Sequence, residues 1–301
     1  TRITGSFVPD SDGPHVLGIV STGPFIIDVD GSTIIDDTHM ELPRSEEFFG
    51  YGSIEATATI ECIAGVPIVL NLRWATSEMN GFAALRVGFR SAEPADLMDR
   101  AVAAAAAADV AVVMVGTNDE WETEGFDRTT MDLPGRQDEL VRRIVAVNLR
   151  TAVIVNAGSP VTMDWADAAD DNSARAVLTS FFAGQEQAES LVDVLLGDAD
   201  PGGRLPTTIP VRLADHPAYL HHRPDHDSAG NGTQVYGEGL FIGYRYYDAR
   251  NIAPRFAFGH GLSYGSAMWG AAVITSESAD SITVEVPVAG TGNRAATVVV
   301  Q

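Results

Sequence analysis

The hydrophobic pattern of the chain changes its period at about residue 92, and this change constrains the fold more than any other feature. Before it, from residue 16 to about residue 90, short runs rich in β-branched and aromatic residues are separated by turn residues, as in a β-sandwich. After it, apolar runs of strand length alternate with longer helix-favouring segments. The sequence therefore predicts an all-β segment followed by an α/β segment.

Asp30 and Gly31 mark the clearest turn of the first segment. They lie between two short apolar runs, and both residue types tolerate the positive φ of a type I′ hairpin turn. The strands predicted in this segment are residues 25–29, 54–63, 68–74 and 83–89.

The second segment has the βαβα alternation of a parallel sheet. Its predicted strands are residues 110–115, 151–156 and 176–182, and its predicted helices are 97–108, 133–148 (with Leu140, Val141, Ile144 and Val147 on one face) and 185–196. Because strands that are apolar along their whole length are buried on both faces, we expect a three-layer α/β sandwich with a mostly parallel sheet.

The third segment, from Pro201, has a loop-like pattern as far as Tyr264. Alternating runs at residues 271–275, 281–288 and 295–300 then predict the first strands of a fibronectin-III-like or immunoglobulin-like sandwich. The chain starts at Thr1 without a charged and apolar leader and ends within a predicted strand, so we expect it to be a fragment.

Net charge and composition exclude several classes of function. The formal net charge of -22 disfavours a nucleic-acid partner, because such a surface repels a phosphate backbone. No apolar run approaches the length of a membrane span, so a membrane protein is not expected. Cys62 is the single cysteine, which excludes an internal disulfide and a cysteine-based zinc site. Composition leaves the cellular compartment open.

A carboxylate-rich loop follows the predicted strand 110–115. In an open α/β sheet ligands bind beyond the carboxyl ends of the strands, so this loop is the first place to look for a site. It contains the carboxylates Asp119, Glu120, Glu122 and Glu124, with Asp127 and Arg128 close behind. Either the loop is simply solvated, or one carboxylate is a general acid/base. No Gly-x-Gly-x-x-Gly follows the strand, which sets a Rossmann-type nucleotide binder aside.

Six segments, in order along the chain, resemble signatures of glycoside hydrolase family 3, the β-glucosidase family. They are Glu124-Gly125-Phe126-Asp127-Arg128 with Leu133-Pro134-Gly135-Arg136-Gln137, Val155-Asn156-Ala157-Gly158-Ser159-Pro160-Val161, Gly184-Gln185-Glu186, Gly197-Asp198-Ala199-Asp200-Pro201-Gly202-Gly203-Arg204-Leu205-Pro206, Tyr236-Gly237-Glu238-Gly239-Leu240 with Gly243-Tyr244-Arg245-Tyr246-Tyr247-Asp248, and Phe258-Gly259-His260-Gly261-Leu262-Ser263-Tyr264. Each alone is weak, but their shared order is specific.

The resemblance implies half of a catalytic pair. Glu124, which directly precedes the Gly-Phe-Asp-Arg run, is implied as the general acid/base of a retaining hydrolase, with Glu122 as its nearest rival. The nucleophile is implied to lie on an N-terminal (β/α)8 barrel of about 250 residues, another part of the same gene product. The implied substrate is a small oligosaccharide or an aryl or alkyl β-glycoside. We therefore expect that this chain alone hydrolyses no glycoside.

The β-rich segment resembles a PA14 domain, which some family members carry as an insertion. The segment Ile26-Ile27-Asp28-Val29-Asp30-Gly31-Ser32-Thr33-Ile34-Ile35-Asp36 carries this resemblance. In relatives a loop of this module covers the leaving-group subsites, which makes Phe48 and Phe49 candidate substrate-binding residues; core packing is the alternative. Trp121 is a third candidate, because sugars stack on aromatic faces, or else it anchors its loop. Asp127 and Arg128 are interpreted as an ion pair that shapes the loop.

The sequence predicts no cofactor and no metal site. His216, His221, His222 and His226 follow no helix-face spacing, and Asp28, Asp30, Asp36 and Asp37 lack the spacing of an EF-hand loop. The predicted domains are residues 1–91 (PA14-like, partial), 92–265 (family 3 C-terminal α/β domain) and 266–301 (start of a fibronectin-III-like domain).

Two alternatives remain open for the function. The chain could be a carbohydrate-binding or interaction module in which the α/β domain is a scaffold. Within the same enzyme family, the substrate could instead be a β-xyloside, an α-arabinofuranoside or a glycosylated natural product.

Overall fold

The computed structural model describes residues 1–45, 47–76, 83–123, 128–221 and 236–299. The chain divides into two compact units. The first comprises Thr1–Ala101 and Asn118–Arg128, and the second comprises Val102–Thr117 and Thr129–Gln301. The loop that carries the predicted acid/base therefore belongs, from Asn118 onward, to the first unit.

The first unit contains two antiparallel sheets. Its strands are β1 (Arg2–Phe7), β2 (Gly13–Ser21), β3 (Phe25–Val29), β4 (Ser32–Asp37), β5 (Ala56–Cys62), β6 (Ile68–Trp74) and β7 (Leu85–Ser91). One sheet has the order β1-β6-β3-β4 and the other β5-β2-β7. Alternate residues of β3 are buried, as in a strand with one face on a core.

Apolar side chains from both sheets form one core in the first unit. The buried members are Leu17 and Ile19 of β2, Phe25, Ile27 and Val29 of β3, and Leu72 of β6. Core packing between two sheets makes this unit a β-sandwich. The hairpin prediction is confirmed, because β3 pairs with β4 and the turn residues Asp30 and Gly31 have φ values of 48° and 82°.

Strand β1 and the start of β2 were not predicted from the sequence pattern. Every residue of β1 except Phe7 is exposed, so its sequence lacks the alternation of buried apolar and exposed polar residues that indicates a strand. Its partner β6 is distant in sequence, with Arg2 opposite Arg73. Only tertiary pairing specifies such an edge strand.

The second unit contains a three-stranded parallel sheet. Helix α1 (Leu97–Ala107) leads into β8 (Ala111–Gly116), α2 (Gln137–Val147), β9 (Thr151–Asn156), β10 (Ala176–Thr179) and α3 (Gln187–Leu196). The strand order is β10-β9-β8, and both pairings are parallel. The prediction of an α/β segment with a parallel sheet is confirmed.

Three details of the α/β prediction are wrong. Strand β8 is buried on alternate residues only, with Val112 and Met114 more than half exposed. The prediction that both faces are buried is therefore wrong for this strand. Val147 of α2 is exposed, and Val145 is buried beside Val141 and Ile144 instead. Strand β10 ends at Thr179, before Phe181, which has a φ of 50°.

Beyond α3 the described chain forms short elements. Helix α4 (Tyr244–Arg250) lies in the segment predicted to be loop-like. Two small antiparallel ladders follow, β11 (Ala267–Trp269) with β14 (Val288–Gly290) and β12 (Val273–Glu277) with β13 (Ile282–Glu285). The predicted strand at 295–300 is wrong for residues 295–299, where no strand forms. Instead the Thr297 carbonyl accepts from Arg204 Nη2 at 2.9 Å, and its amide donates to Asp200.

Within the described ranges, no helix is both long and apolar enough to cross a bilayer.

Asp138 fixes the start of α2 against the core of the second unit. Its Oδ1 accepts a hydrogen bond of 2.7 Å from Nε1 of Trp165, which is 4% exposed. Burial raises the pKa of the Asp138 carboxyl, an effect that the Trp165 bond opposes and the nearby Asp164 reinforces.

We expect Asp138→Ala to lower the free energy of unfolding by about 1–3 kcal/mol, because it leaves a buried indole N–H without its acceptor. Asp138→Asn keeps an acceptor oxygen and removes the charge. Since the folded state raises the pKa of this carboxyl, ionisation reduces wild-type stability as the pH rises above about 4. The free energy of unfolding of Asp138→Asn, relative to that of wild type, should therefore increase from pH 4 towards pH 7. Urea unfolding at several pH values tests this.

The matched control is Asp164→Asn. The Asp164 side chain is 61% exposed and pairs with Arg142, so its replacement should change stability little at any pH. The assignment would be contradicted if the two Asn variants had equal effects. It would also be contradicted if the free energy of unfolding of Asp138→Asn, relative to wild type, rose as the pH falls.

Candidate functional site

The carboxyl end of β8 is fixed tightly before the carboxylate-rich loop begins. A Cβ added at Gly116 would lie 1.9 Å from the Asn156 carbonyl oxygen, so only glycine fits beside β9. The Gln137 side-chain amide bonds both backbone groups of Gly116, accepting from its N–H at 2.7 Å and donating to its carbonyl at 2.9 Å. The first residues of α2 thus hold the point from which the loop departs.

The loop at residues 117–128, here called the acid loop, is organised by Asn118. The Asn118 carbonyl accepts from the amides of Trp121 at 3.0 Å and Glu122 at 2.9 Å. Its side-chain Oδ1 accepts from the amide of Glu120 at 3.1 Å. These bonds form one compact turn. Trp121 lies in this turn and is 39% exposed.

Glu122 and Arg128 close the acid loop. Glu122 Oε1 lies 3.2 Å from Arg128 Nη1, and the two side chains are only 13% and 14% exposed. A partly buried pair of this kind is costly to break, because either partner alone would be an uncompensated charge. Glu122 therefore has a structural task in the loop. Among the described residues, Arg128 forms its ion pair with Glu122.

The predicted acid/base Glu124 lies outside the described residues, as do Gly125, Phe126 and Asp127. The predicted pair of Asp127 with Arg128 is therefore not visible. What the structure describes is the frame on both sides of these four residues, from Thr117 to residue 123 and again from Arg128.

A second loop of the first unit, residues 47–52, carries the predicted aromatics and is here called the aromatic loop. Phe48, Phe49 and Gly50 have successive φ values of 52°, 59° and 83°. Two phenylalanines in the left-handed region store backbone strain, which the surroundings must hold in place. Phe49 is 62% exposed and Phe48 is half-buried, so Phe49 is not a core residue.

Hydrogen bonds close the aromatic loop into a tight hairpin tip. The Gly52 amide donates to the Glu47 carbonyl at 2.8 Å, and the Tyr51 amide donates to the Phe48 carbonyl at 3.2 Å. Arg44 Nη1 donates to the Tyr51 carbonyl at 2.8 Å. This closure explains how the strained conformation of the two phenylalanines persists.

Arg86 of β7 contacts both loops. Its Nη2 lies 2.5 Å from Glu47 of the aromatic loop and 3.4 Å from Glu120 of the acid loop. Arg86 was not among the residues that the sequence pattern predicts to be functional. Strand β7 carries two arginines, Arg86 and Arg90, and nothing local singles out Arg86, because its partners are 39 and 34 residues away.

The histidine and aspartate sets yield no metal centre among the described residues, where no three or more His, Cys, Asp and Glu side chains are grouped to hold an ion. His222 and His226 lie outside those residues. His216 instead accepts from the Ala218 amide through Nδ1 at 3.2 Å, and burial lowers the pKa of its imidazole.

Comparison with known proteins shows the family. The sequence model of the glycosyl hydrolase family 3 C-terminal domain matches residues 26–244. The chain therefore belongs to glycosyl hydrolase family 3.

Two curated relatives illustrate the similarity. The chain is 38% identical over 271 residues to "Probable beta-glucosidase I" of Aspergillus terreus, covering 86% of this chain and 31% of the relative. It is 36% identical over 306 residues to "Beta-glucosidase" of Rhizobium radiobacter, covering 100% of this chain and 37% of the relative. The chain thus spans about a third of the length of these proteins.

Solved structures give the same relationship. A β-glucosidase from Kluyveromyces marxianus, crystallised in complex with glucose, matches with a TM-score of 0.86 and 32% identity, covering 97% of this chain and 34% of that one. DesR, a β-glucosidase from Streptomyces venezuelae, matches with a TM-score of 0.64 and 29% identity, covering 98% and 35%. The match to the Kluyveromyces marxianus enzyme covers residues of both compact units.

Proposed function

We propose that this chain supplies Glu124 as the general acid/base of a retaining β-glucosidase. The observation that carries the proposal is the ion pair between Glu122 and Arg128, which engages the rival glutamate in holding the loop. The position of the loop, directly after the carboxyl end of β8, supports it further. So do the curated relatives that bear the name β-glucosidase.

The chemistry proceeds in two steps. Glu124 donates its proton to the glycosidic oxygen while the nucleophile attacks the anomeric carbon, which breaks the C–O bond and forms a glycosyl-enzyme. Glu124, now a carboxylate, removes a proton from water, and the hydroxide attacks the same carbon and releases the nucleophile. The sugar leaves with retained configuration, and the two carboxyl groups stand about 5–5.5 Å apart.

The nucleophile is proposed to be an aspartate of an N-terminal (β/α)8 barrel in the same gene product. Relatives about three times as long as the matched region leave room for such a barrel, which needs about 250 residues. The substrate is a small oligosaccharide or an aryl or alkyl β-glycoside with a terminal β-linked sugar.

Trp121, Phe48 and Phe49 are proposed to line the leaving-group side of the site. Trp121 lies three residues before Glu124 and is 39% exposed, and Phe49 is 62% exposed on a strained, hydrogen-bonded loop of the same unit. Exposed aromatic faces of this kind suit stacking against a sugar or an aryl group.

The domain organisation is likewise proposed. Residues 1–91 are a PA14-like insertion, residues 92–265 the family 3 C-terminal α/β domain, and residues 266–301 the start of a fibronectin-III-like domain. The sandwich of β1 to β7 and the small antiparallel ladders β11 to β14 support the first and third assignments.

The purified 301-residue chain is expected to release no nitrophenol from p-nitrophenyl β-glucoside, whereas the full-length gene product turns it over. The reason is that an acid/base without its nucleophile cannot form the glycosyl-enzyme. Absorbance at saturating substrate measures both, and circular dichroism verifies that the short chain is folded. Turnover by the short chain would reject the barrel proposal, and inactivity of the full-length protein on β-glucosides would reject the β-glucosidase assignment.

A further inference from the structure

Arg86 is placed by the register of β7 and reaches two loops at once. It lies opposite Val20 of β2, which is 2% exposed, so the backbone position of Arg86 is fixed by the sheet. One guanidinium nitrogen, Nη2, contacts both Glu47 and Glu120. The aromatic loop and the acid loop therefore share a single cation.

Arg86 also contacts an aromatic ring. Its Cζ lies 5.9 Å from the ring centroid of Phe48, within the range of a cation–π contact. Phe48 directly follows Glu47, so the guanidinium contacts both the Glu47 carboxylate and the ring of the strained Phe48. A planar, delocalised guanidinium can donate to carboxylates in its plane while its face lies against an aromatic ring, whereas a lysine ammonium is a compact point charge on a flexible stem.

Two carboxylates lie on the same nitrogen, so Arg86, Glu47 and Glu120 form a small charge network whose side chains are 44%, 22% and 49% exposed. With Arg86 removed, Glu47 and Glu120 would face each other without a cation between them and would repel. The chain is strongly acidic, so no general excess of positive charge compensates. The expected consequence is that the two loops move apart.

We propose that Arg86 is a positioning residue that sets the aromatic loop against the acid loop and thereby sets affinity for the leaving-group part of the substrate. This inference rests on the proposed function, in which Trp121, Phe48 and Phe49 line that side of the site. Arg86 acts through these residues and touches no reacting atom.

The test compares two substrates of the full-length gene product, p-nitrophenyl β-glucoside and methyl β-glucoside. Arg86→Ala is expected to raise KM for the aryl substrate about tenfold, in line with coupling between contacting charged residues, and to change kcat less than about twofold. KM for the methyl substrate should change less than about twofold, because its leaving group reaches no aromatic wall. Arg86→Lys should lie between wild type and Arg86→Ala, since it keeps the charge but not the planar guanidinium that lies over Phe48.

Arg90→Ala is the matched control. Arg90 lies on the same strand, is 60% exposed and forms its ion pair within the described residues locally, with Glu93 at 2.8 Å, so its loss should leave both KM values unchanged. Glu120→Gln in the Arg86→Ala background removes the repulsion between carboxylates and should recover part of the aryl affinity. A purely structural role for Arg86 would change KM for both substrates alike, so a rise and a recovery confined to the aryl substrate distinguish the two roles.

The outcomes separate the two proposals. If wild type is active but Arg86→Ala behaves like Arg90→Ala, or raises KM equally for both substrates, the positioning role is overturned and the β-glucosidase assignment stands. If wild type hydrolyses neither substrate, the β-glucosidase assignment itself is overturned. A selective rise in KM for the aryl glucoside, partly reversed by Glu120→Gln, establishes the positioning role.

Discussion

Glu124→Ala in the full-length gene product is expected to lower kcat for methyl β-glucoside by about 10²- to 10⁴-fold, the usual contribution of a positioned general acid/base. Methoxide is a poor leaving group and must be protonated as the C–O bond breaks. For 2,4-dinitrophenyl β-glucoside the first step needs no acid, so the glycosyl-enzyme should still form and its hydrolysis should become limiting. The prediction is therefore a loss of rate that depends steeply on the leaving group.

Azide provides the decisive measurement for Glu124→Ala. Because azide is already anionic, it attacks the glycosyl-enzyme without a general base, and turnover of the dinitrophenyl substrate should rise with azide concentration. The product should be β-glucosyl azide, with the configuration retained over two displacements. The melting temperature should match wild type.

Asp119→Ala is the control within the same loop. Asp119 is exposed and lies in the acidic group that contains Glu124, so its loss tests whether any negative charge in the loop suffices. We expect activity close to wild type and no effect of azide. Unchanged turnover of methyl β-glucoside by Glu124→Ala, or the absence of any azide effect, would remove Glu124 from the mechanism.

Local chemistry explains which parts of the fold could be predicted. The hairpin at Asp30 and Gly31 was correct because the turn needs two residues that tolerate positive φ, and both stand side by side. Strand β9 has the predicted bounds Thr151–Asn156, because an apolar run typical of a central parallel strand, residues 152–155, lies between the polar Thr151 and Asn156. In each case, the information lies within a few residues.

The parts that failed depend on distant partners. Strand β1 exists because β6 offers an edge, and the last residues of the chain are bound by Asp200 and Arg204 instead of forming a strand. The exposure of Val112 and Met114 depends on what covers the sheet, which the residue types of β8 do not reveal.

The candidate site shows the same division. The family motif pointed to Glu124 and Arg128 by their order in the chain, whereas the roles of Glu122 and Arg86 emerge only from contacts. Arg128 has carboxylates on both sides in sequence, and spacing alone could not select Glu122 as its partner. The cation that Glu47 and Glu120 share lies on a strand far from both, so folding had to be known first.

Glu122→Ala is expected to lose stability as well as activity, which separates it from Glu124→Ala. Its ion pair with Arg128 is mostly buried, and removing one partner leaves a charge without compensation, at a cost of about 2–4 kcal/mol. Arg128→Ala should cost a similar amount for the same reason. The double variant should be less destabilised than the sum, with a coupling free energy of about 1–3 kcal/mol, because it leaves neither charge uncompensated.

Urea unfolding followed by tryptophan fluorescence measures this cycle, and the pair of Arg90 with Glu93 provides the exposed reference. Those side chains are 60% and 65% exposed, so their coupling should stay below about 0.5 kcal/mol.

Activity completes the distinction: Glu122→Ala should lower kcat through loss of loop shape, and azide should not restore it, because the acid/base is still present. Additive effects of Glu122→Ala and Arg128→Ala would contradict the ion pair as the closure of the loop. Restoration of Glu122→Ala by azide would transfer the acid/base role to Glu122, since only the missing base can be bypassed by an anionic nucleophile.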